Sequence, residues 1–169
     1  MSSESKLKFR GRELCINDAF LLVFYIYLFD EFKNDSEEFN KLQNELVDNI
    51  DSLLLQSFGD IDFYESIYSD EMKDVVISHI ENIITKINEK DNYFSLENID
   101  SILSRIKVYH IKNLHYEPCK EIIKDSYGNE FFQAKNNSIK EFIEIKLLFE
   151  KAIPDYYRLV MKALNDDPK

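Results

Sequence analysis

Apolar positions recur at three- and four-residue spacing along most of this chain, the period of helices that bury one face. The exception is residues 19–29, AFLLVFYIYLF, which are apolar without a break. With Asn17 or Asp18 available as a cap, this run predicts a first helix reaching about Phe32, apolar nearly all round and therefore central to the core. Asp35 and Glu38 form a capping-box pattern ahead of Phe39, Leu42, Leu46, Ile50, Leu53 and Leu54, a second helix ending near Gly59. Its outer face carries Glu37, Glu45, Asp48 and Asp51. Residues 59–70, GDIDFYESIYSD, have weak periodicity and read as a loop or short helical turn. Met72, Val75, Val76, Ile80, Ile83, Ile84 and Ile87 mark a third helix over about 70–89.

Ser95 caps a fourth helix through Ile99, Ile102, Leu103 and Ile106, which extends toward Leu114 before Pro118 stops it. Residues 121–133, EIIKDSYGNEFFQ, read either as a small β-hairpin closed by DSYGN or as a helix ending at Gly128. Ser138 and Glu141 make a second capping box, opening a helix through Ile139, Phe142, Ile143, Ile145, Leu148, Phe149 and Ala152 that Pro154 breaks or kinks. A last helix runs from Asp155 to about Leu164. The expectation is a mainly α fold, a compact single-domain bundle of about five to seven helices over residues 1–169, with residues 1–12 a flexible basic N-terminus. Composition agrees. The 169 residues fit one core, 44% are hydrophobic, and only three Gly and three Pro argue against a sandwich or barrel of short strands.

A basic stretch through Arg12 ahead of an apolar run invites a reading as a secretory leader. Glu13 and Asp18 interrupt the approach, aromatics fill the run, and Asp30 and Glu31 end it without a small-residue cleavage site. It is also shorter than the roughly 20 apolar residues a bilayer requires. No membrane segment is expected. Cys15 and Cys119 are far apart and belong to no CxxC pattern, so a reduced, cytoplasmic protein is expected.

Charge is unevenly distributed along the chain. The formal charge is −11, but residues 1–12 carry +3, residues 13–100 carry −16 and residues 101–169 carry +2. The acidic field repels phosphates and favours a basic protein partner over nucleic acid. A solvated acidic face serving solubility is the plainer explanation. The chain holds only four Arg among abundant Ile, Asn and Lys, a compositional bias that leaves individual Asn residues little functional weight.

Catalytic and metal chemistry find little support. His79 lies beside the apolar face of the third helix with no base or nucleophile near it in sequence, and reads as a hydrogen-bonded core or boundary histidine. His115 and Cys119, with Glu117 between them, are four apart, but Pro118 spoils the helical geometry and a structural zinc wants four ligands. Asp60, Asp62 and Glu65 resemble a broken calcium loop lacking its glycine and terminal glutamate. GxxxxGK[ST], GxGxxG, GxSxG and HExxH are all absent. The expectation is a protein that is not an enzyme, with no cofactor and no metal.

The strongest candidate is FGDIDFYESIYSDEMKD, residues 58–74. Asp60, Asp62, Glu65, Asp70, Glu71 and Asp74 face one base, Lys73, with Tyr64 and Tyr68 interleaved. Carboxylates pair with Arg and Lys while tyrosines supply contact area at low entropic cost, the composition of an anchor set for a basic surface. Phe58, Ile61, Phe63 and Ile67 would pin the segment to the core.

A small, single-domain, strongly acidic chain with aromatic-acidic segments resembles the immunity proteins of bacterial toxin-immunity pairs, including those of contact-dependent growth inhibition. The resemblance implies a cytoplasmic protein that blocks a cognate cationic toxin domain, often a nuclease, by electrostatic and steric occlusion. Asp60, Asp62, Glu65, Asp70, Glu71 and Asp74 would then stand where substrate phosphates stand, with Tyr64 and Tyr68 as anchors. The alternative is an α-helical regulatory or adaptor module acting through homo-oligomer or protein contacts. Tyr109, Tyr116, Phe131 and Phe132, or Tyr156 and Tyr157, could supply its apolar face.

Overall fold

The computed structural model describes residues 4–55, 57, 59–90, 95–109 and 135–151. The expected hairpin or helix at 121–133, the break at Pro154 and the last helix lie outside these residues, as do Phe58 and Cys119. The described chain is mainly helical with a small three-stranded sheet.

The N-terminus corrects the expectation most. Residues 4–12 are not a flexible tail: β1 (Glu4–Phe9) and β2 (Arg12–Asn17) form an antiparallel hairpin. Its alternation is legible in ESKLKF, where Ser5, Leu7 and Phe9 are buried while Lys6 and Lys8 face solvent. Arg10 and Gly11 make the two-residue turn with φ of 46° and 80°. Two positive φ values match the right-handed twist of the flanking strands, and glycine takes the second without strain.

The first helix, α1 (Asp18–Glu31), begins as expected, with the Asn17 side chain accepting from the Ala19 N–H. Residues 21–29 are all buried, so α1 runs through the centre. α2 (Asn40–Leu54) buries Leu42, Leu46, Val47, Ile50, Leu53 and Leu54. The Asp35–Glu38 capping box does not form: two 3-10 turns, Phe32–Asn34 and Glu37–Phe39, precede α2, and Asp35 turns to His79 instead. Glu45, expected on the outer face, is half-buried.

The segment after α2 contributes β3 (Ile61–Asp62), parallel to β1 in the strand order β2-β1-β3. α3 (Asp70–Glu89) is capped by the Ser69 hydroxyl accepting from the Met72 N–H at 3.1 Å. α4 (Leu96–Tyr109) is capped by Ser95 in the same way, from the Asn98 N–H. α5 (Lys135–Glu150) begins before the second predicted capping box, so Ser138 is a buried residue inside the helix and not its cap.

α1 packs against α2, α3, α4 and α5, α3 lies along α5, and β2 rests on α1 and α5. Phe149 of α5 meets Phe9 at 5.0 Å and Phe63 at 5.2 Å between ring centroids. Both pairs avoid the face-to-face stack that the ring quadrupoles disfavour. One helix therefore underpins both the hairpin and the segment of interest.

Candidate interaction face

A buried hydrogen-bond network fixes how residues 59–62 leave the core. Ser5 Oγ donates to Asp18 Oδ1 at 2.6 Å and accepts from the Gly59 N–H at 2.8 Å. Tyr25, fully buried on α1, donates its hydroxyl to the Gly59 carbonyl at 2.5 Å. Burial, reinforced by the Asp60, Asp18 and Glu45 charges, pushes the Tyr25 phenol well above its ordinary pKa, so it remains a donor. A side chain at Gly59 would bring Cβ within 2.8 Å of Leu53. Both backbone groups of Gly59 are thus held, and no larger residue fits against α2.

From this anchor the chain turns through β3. Ile61, Phe63 and Ile67 are buried, as the sequence suggests, and pin the turn to the core. The polar residues between them divide into two sets. Asp60 accepts from the Lys6 N–H at 2.7 Å, and Asp62 accepts from the Tyr64 N–H at 3.1 Å. Glu65 pairs with Lys41 of α2 at 3.0 Å across an exposed surface. Asp70 binds Arg10 of the hairpin turn at 2.5 Å, with Lys73 at 3.9 Å. The Arg10 guanidinium holds the Asp70 carboxyl below its ordinary pKa. Arg10 is itself only 8% exposed and stacks on the Phe9 ring, 4.9 Å from its centroid. These four acids therefore do structural tasks: they close turns and tie the segment to the hairpin and α2.

Tyr68, Glu71 and Asp74 form the second set. Tyr68 is 64% exposed, and Glu71 is exposed in the first turn of α3. The Asp74 side chain is 73% exposed, with Lys73 at 3.9 Å. Asp74 follows Glu71 by three positions, which puts both on one face of α3 next to the end of the turn that bears Tyr68. Tyr64 is half-buried and lines two surface depressions.

Those depressions hold the residues that sequence reasoning missed. One of about 390 Å³ is bounded by Lys8, Phe9, Arg10, Gly11, Arg12, Glu13, Asp62 and Tyr64. Another of about 500 Å³ is bounded by Arg10, Lys41, Tyr64, Glu65, Ile67 and Tyr68. Arg10 and Tyr64 are common to both. The basic N-terminal residues are thus folded against the acidic turn. The available signal was the alternation KLKF and ELCI on either side of Arg10–Gly11.

A second polar cluster sits on the middle of α3. His79 Nε2 meets Asp35 Oδ2 at 2.6 Å, and Nδ1 lies 3.4 Å from Glu31 Oε2, an ionic contact without hydrogen-bond alignment. Lys86 Nζ reaches the other Glu31 oxygen at 2.6 Å, and the Phe32 ring packs edge-on to the imidazole at 4.7 Å. Burial lowers the His79 pKa, but Glu31 and Asp35 more than offset this and leave it raised. Burial would raise Glu31, and His79 with Lys86 brings it net below its ordinary value. The cluster holds the end of α1 to α3. Among the described residues, no three His, Cys, Asp or Glu are grouped to hold a metal ion, and no helix is long and apolar enough to cross a membrane.

No family model, curated protein or solved structure matches this chain.

Proposed function

We propose that this is a protein-binding protein that neutralises a basic partner, as an immunity protein of a toxin-immunity pair does in the cytoplasm. Its binding face comprises Tyr68, Glu71 and Asp74, with Tyr64 beside them. The observation that carries this reading is the exposure of Tyr68, 64% for a large aromatic side chain, beside two solvent-facing carboxylates at the start of α3. An exposed tyrosine offers contact area and a hydroxyl at small entropic cost, and carboxylates around it select for Arg and Lys. Asp60, Asp62, Glu65 and Asp70 supply negative field behind this face. Helices packed around α1 as a single-domain bundle would present it rigidly.

The test is capture of the partner with the tagged full chain, followed by a functional titration. The captured protein's toxic or enzymatic activity is expected to fall stoichiometrically with added wild-type chain. A Tyr68→Ala, Glu71→Gln, Asp74→Asn variant with unchanged circular dichroism is expected to inhibit at least ten-fold less well, on the scale of one lost hot spot. Equal inhibition by the variant would end this reading.

A further inference from the structure

We infer that the cleft at the C-terminal end of α1, between α2 and α4, binds a small organic monocarboxylate with an apolar body. α2 and α4 both pack on α1. Where α1 gives way to the Phe32–Asn34 turn, they leave between them a cavity of about 270 Å³. Its floor is apolar, made of the buried side chains of Phe29 on α1 and Ile102 and Ile106 on α4. Gln43 closes the α2 side, held there by donating to the Phe32 carbonyl at 2.9 Å. An apolar floor with a few polar groups gathered at one edge is the usual form of a small-molecule site. The volume is just under the roughly 300–1,000 Å³ of sites for drug-sized ligands, which limits the occupant to one ring or a short chain.

The charges on the rim do not balance. Lys33 and Arg105 both line the cavity, and the one carboxylate lining it is that of Asp30. Both cations address the same oxygen: Arg105 Nη2 lies 3.0 Å and Lys33 Nζ 3.8 Å from Asp30 Oδ1. Among the described residues neither cation pairs with a second carboxylate. The rim therefore carries one more positive than negative charge, in a chain whose formal charge is −11. A guanidinium has five N–H donors in a planar fork, and a contact through one nitrogen leaves donors free for a carboxylate. The Lys33 and Arg105 side chains are exposed and can turn to meet a ligand, whereas Asp30 is mostly buried between them. Asp30 repels a second negative charge, which selects a monocarboxylate over a phosphate dianion or a dicarboxylate. This site shares no residue with the face formed by Tyr68, Glu71 and Asp74.

The experiment is saturation-transfer difference NMR of the full chain with 3-phenylpropionate at physiological salt. Its neutral counterpart 3-phenylpropanamide and the ringless acetate serve as comparisons. Saturable binding of 3-phenylpropionate is expected, with a Kd below about 1 mM, and at least ten-fold weaker binding of the other two. R105Q is expected to weaken binding about ten-fold, the loss of one charge-assisted pair, and K33Q to have a smaller effect. Circular dichroism of both variants is expected to match the wild type, because both side chains are exposed. An E71Q, D74N variant is expected to bind 3-phenylpropionate unchanged, which separates this site from the proposed basic-partner face. If Lys33 and Arg105 serve only to complement the dipole of α1, the wild type binds no 3-phenylpropionate and the inference falls. Equal binding of the acid and its amide, equal binding by R105Q and the wild type, or tighter binding of phenyl phosphate would each overturn it as well.

Discussion

Ion pairs of different character tie α3 to the hairpin turn and to the end of α1. At the first turn of α3 Arg10 clasps Asp70 beside solvent, and further along His79 and Lys86 close on Glu31 and Asp35. The first contact uses a guanidinium that keeps its charge at every accessible pH. The second uses an imidazole that titrates near neutrality. The side chain of Glu31 is 7% exposed, whereas that of Asp70 is 38% exposed. Water thus screens the contact beside the proposed face, while the inner cluster experiences a lower dielectric and larger energies. The two contacts therefore serve different ends: one places a surface, and the other secures the core that carries it.

Breaking the inner cluster should have the largest effect. Glu31→Gln leaves Lys86 and His79 facing a neutral amide in place of a carboxylate, and is expected to cost about 2–4 kcal/mol in urea unfolding. Next comes the anchor that positions the outer region. Gly59→Ala forces its Cβ against Leu53 and disturbs the bonds to Ser5 and Tyr25. The expected loss is about 1–3 kcal/mol, read as a lower urea midpoint. Arg10→Gln should cost about 1 kcal/mol, since Asp70 is substantially solvated and the interaction is discounted accordingly. Lys41→Ala, at an exposed pair, should change stability by less than about 0.5 kcal/mol.

The two contacts also respond differently to pH. The folded-state pKa of His79 lies above its ordinary 6.5, so its stabilising contribution is complete below about 6.5 and declines as pH rises through the folded value. Stability measured by urea midpoint across that window should fall with rising pH in the wild type. His79→Gln should flatten the slope there, while Arg10→Gln should leave it intact. At the acid end Glu31, whose carboxyl is lowered, loses its contribution as pH falls.

Local signals made much of the helical architecture legible. Asn17 and Ser95 cap α1 and α4 where the sequence places them, because capping and periodicity are decided within a few residues. Asp35 was misleading for the opposite reason. Its carboxylate had a cap to make nearby but found His79, 44 residues away, and no local pattern reports that choice. The acidic segment shows the same limit. Its composition marked it as a surface feature, yet Arg10 lies 60 residues from Asp70 and Lys41 lies 24 from Glu65. Only the fold separates acids that tie the turn down from Glu71 and Asp74, which face solvent. The hairpin was missed because a basic, glycine-containing start resembles a tail until Leu7 and Phe9 are seen beneath it.

The most direct measurement is the association rate of the wild-type chain and of the E71Q, D74N variant with the captured basic partner, followed by stopped flow from low to high salt. Steering by these carboxylates predicts a wild-type rate that falls about ten-fold or more with salt, and a variant that is slower at low salt and converges with wild type at high salt. Identical rates and identical salt dependence for the two proteins would contradict the account.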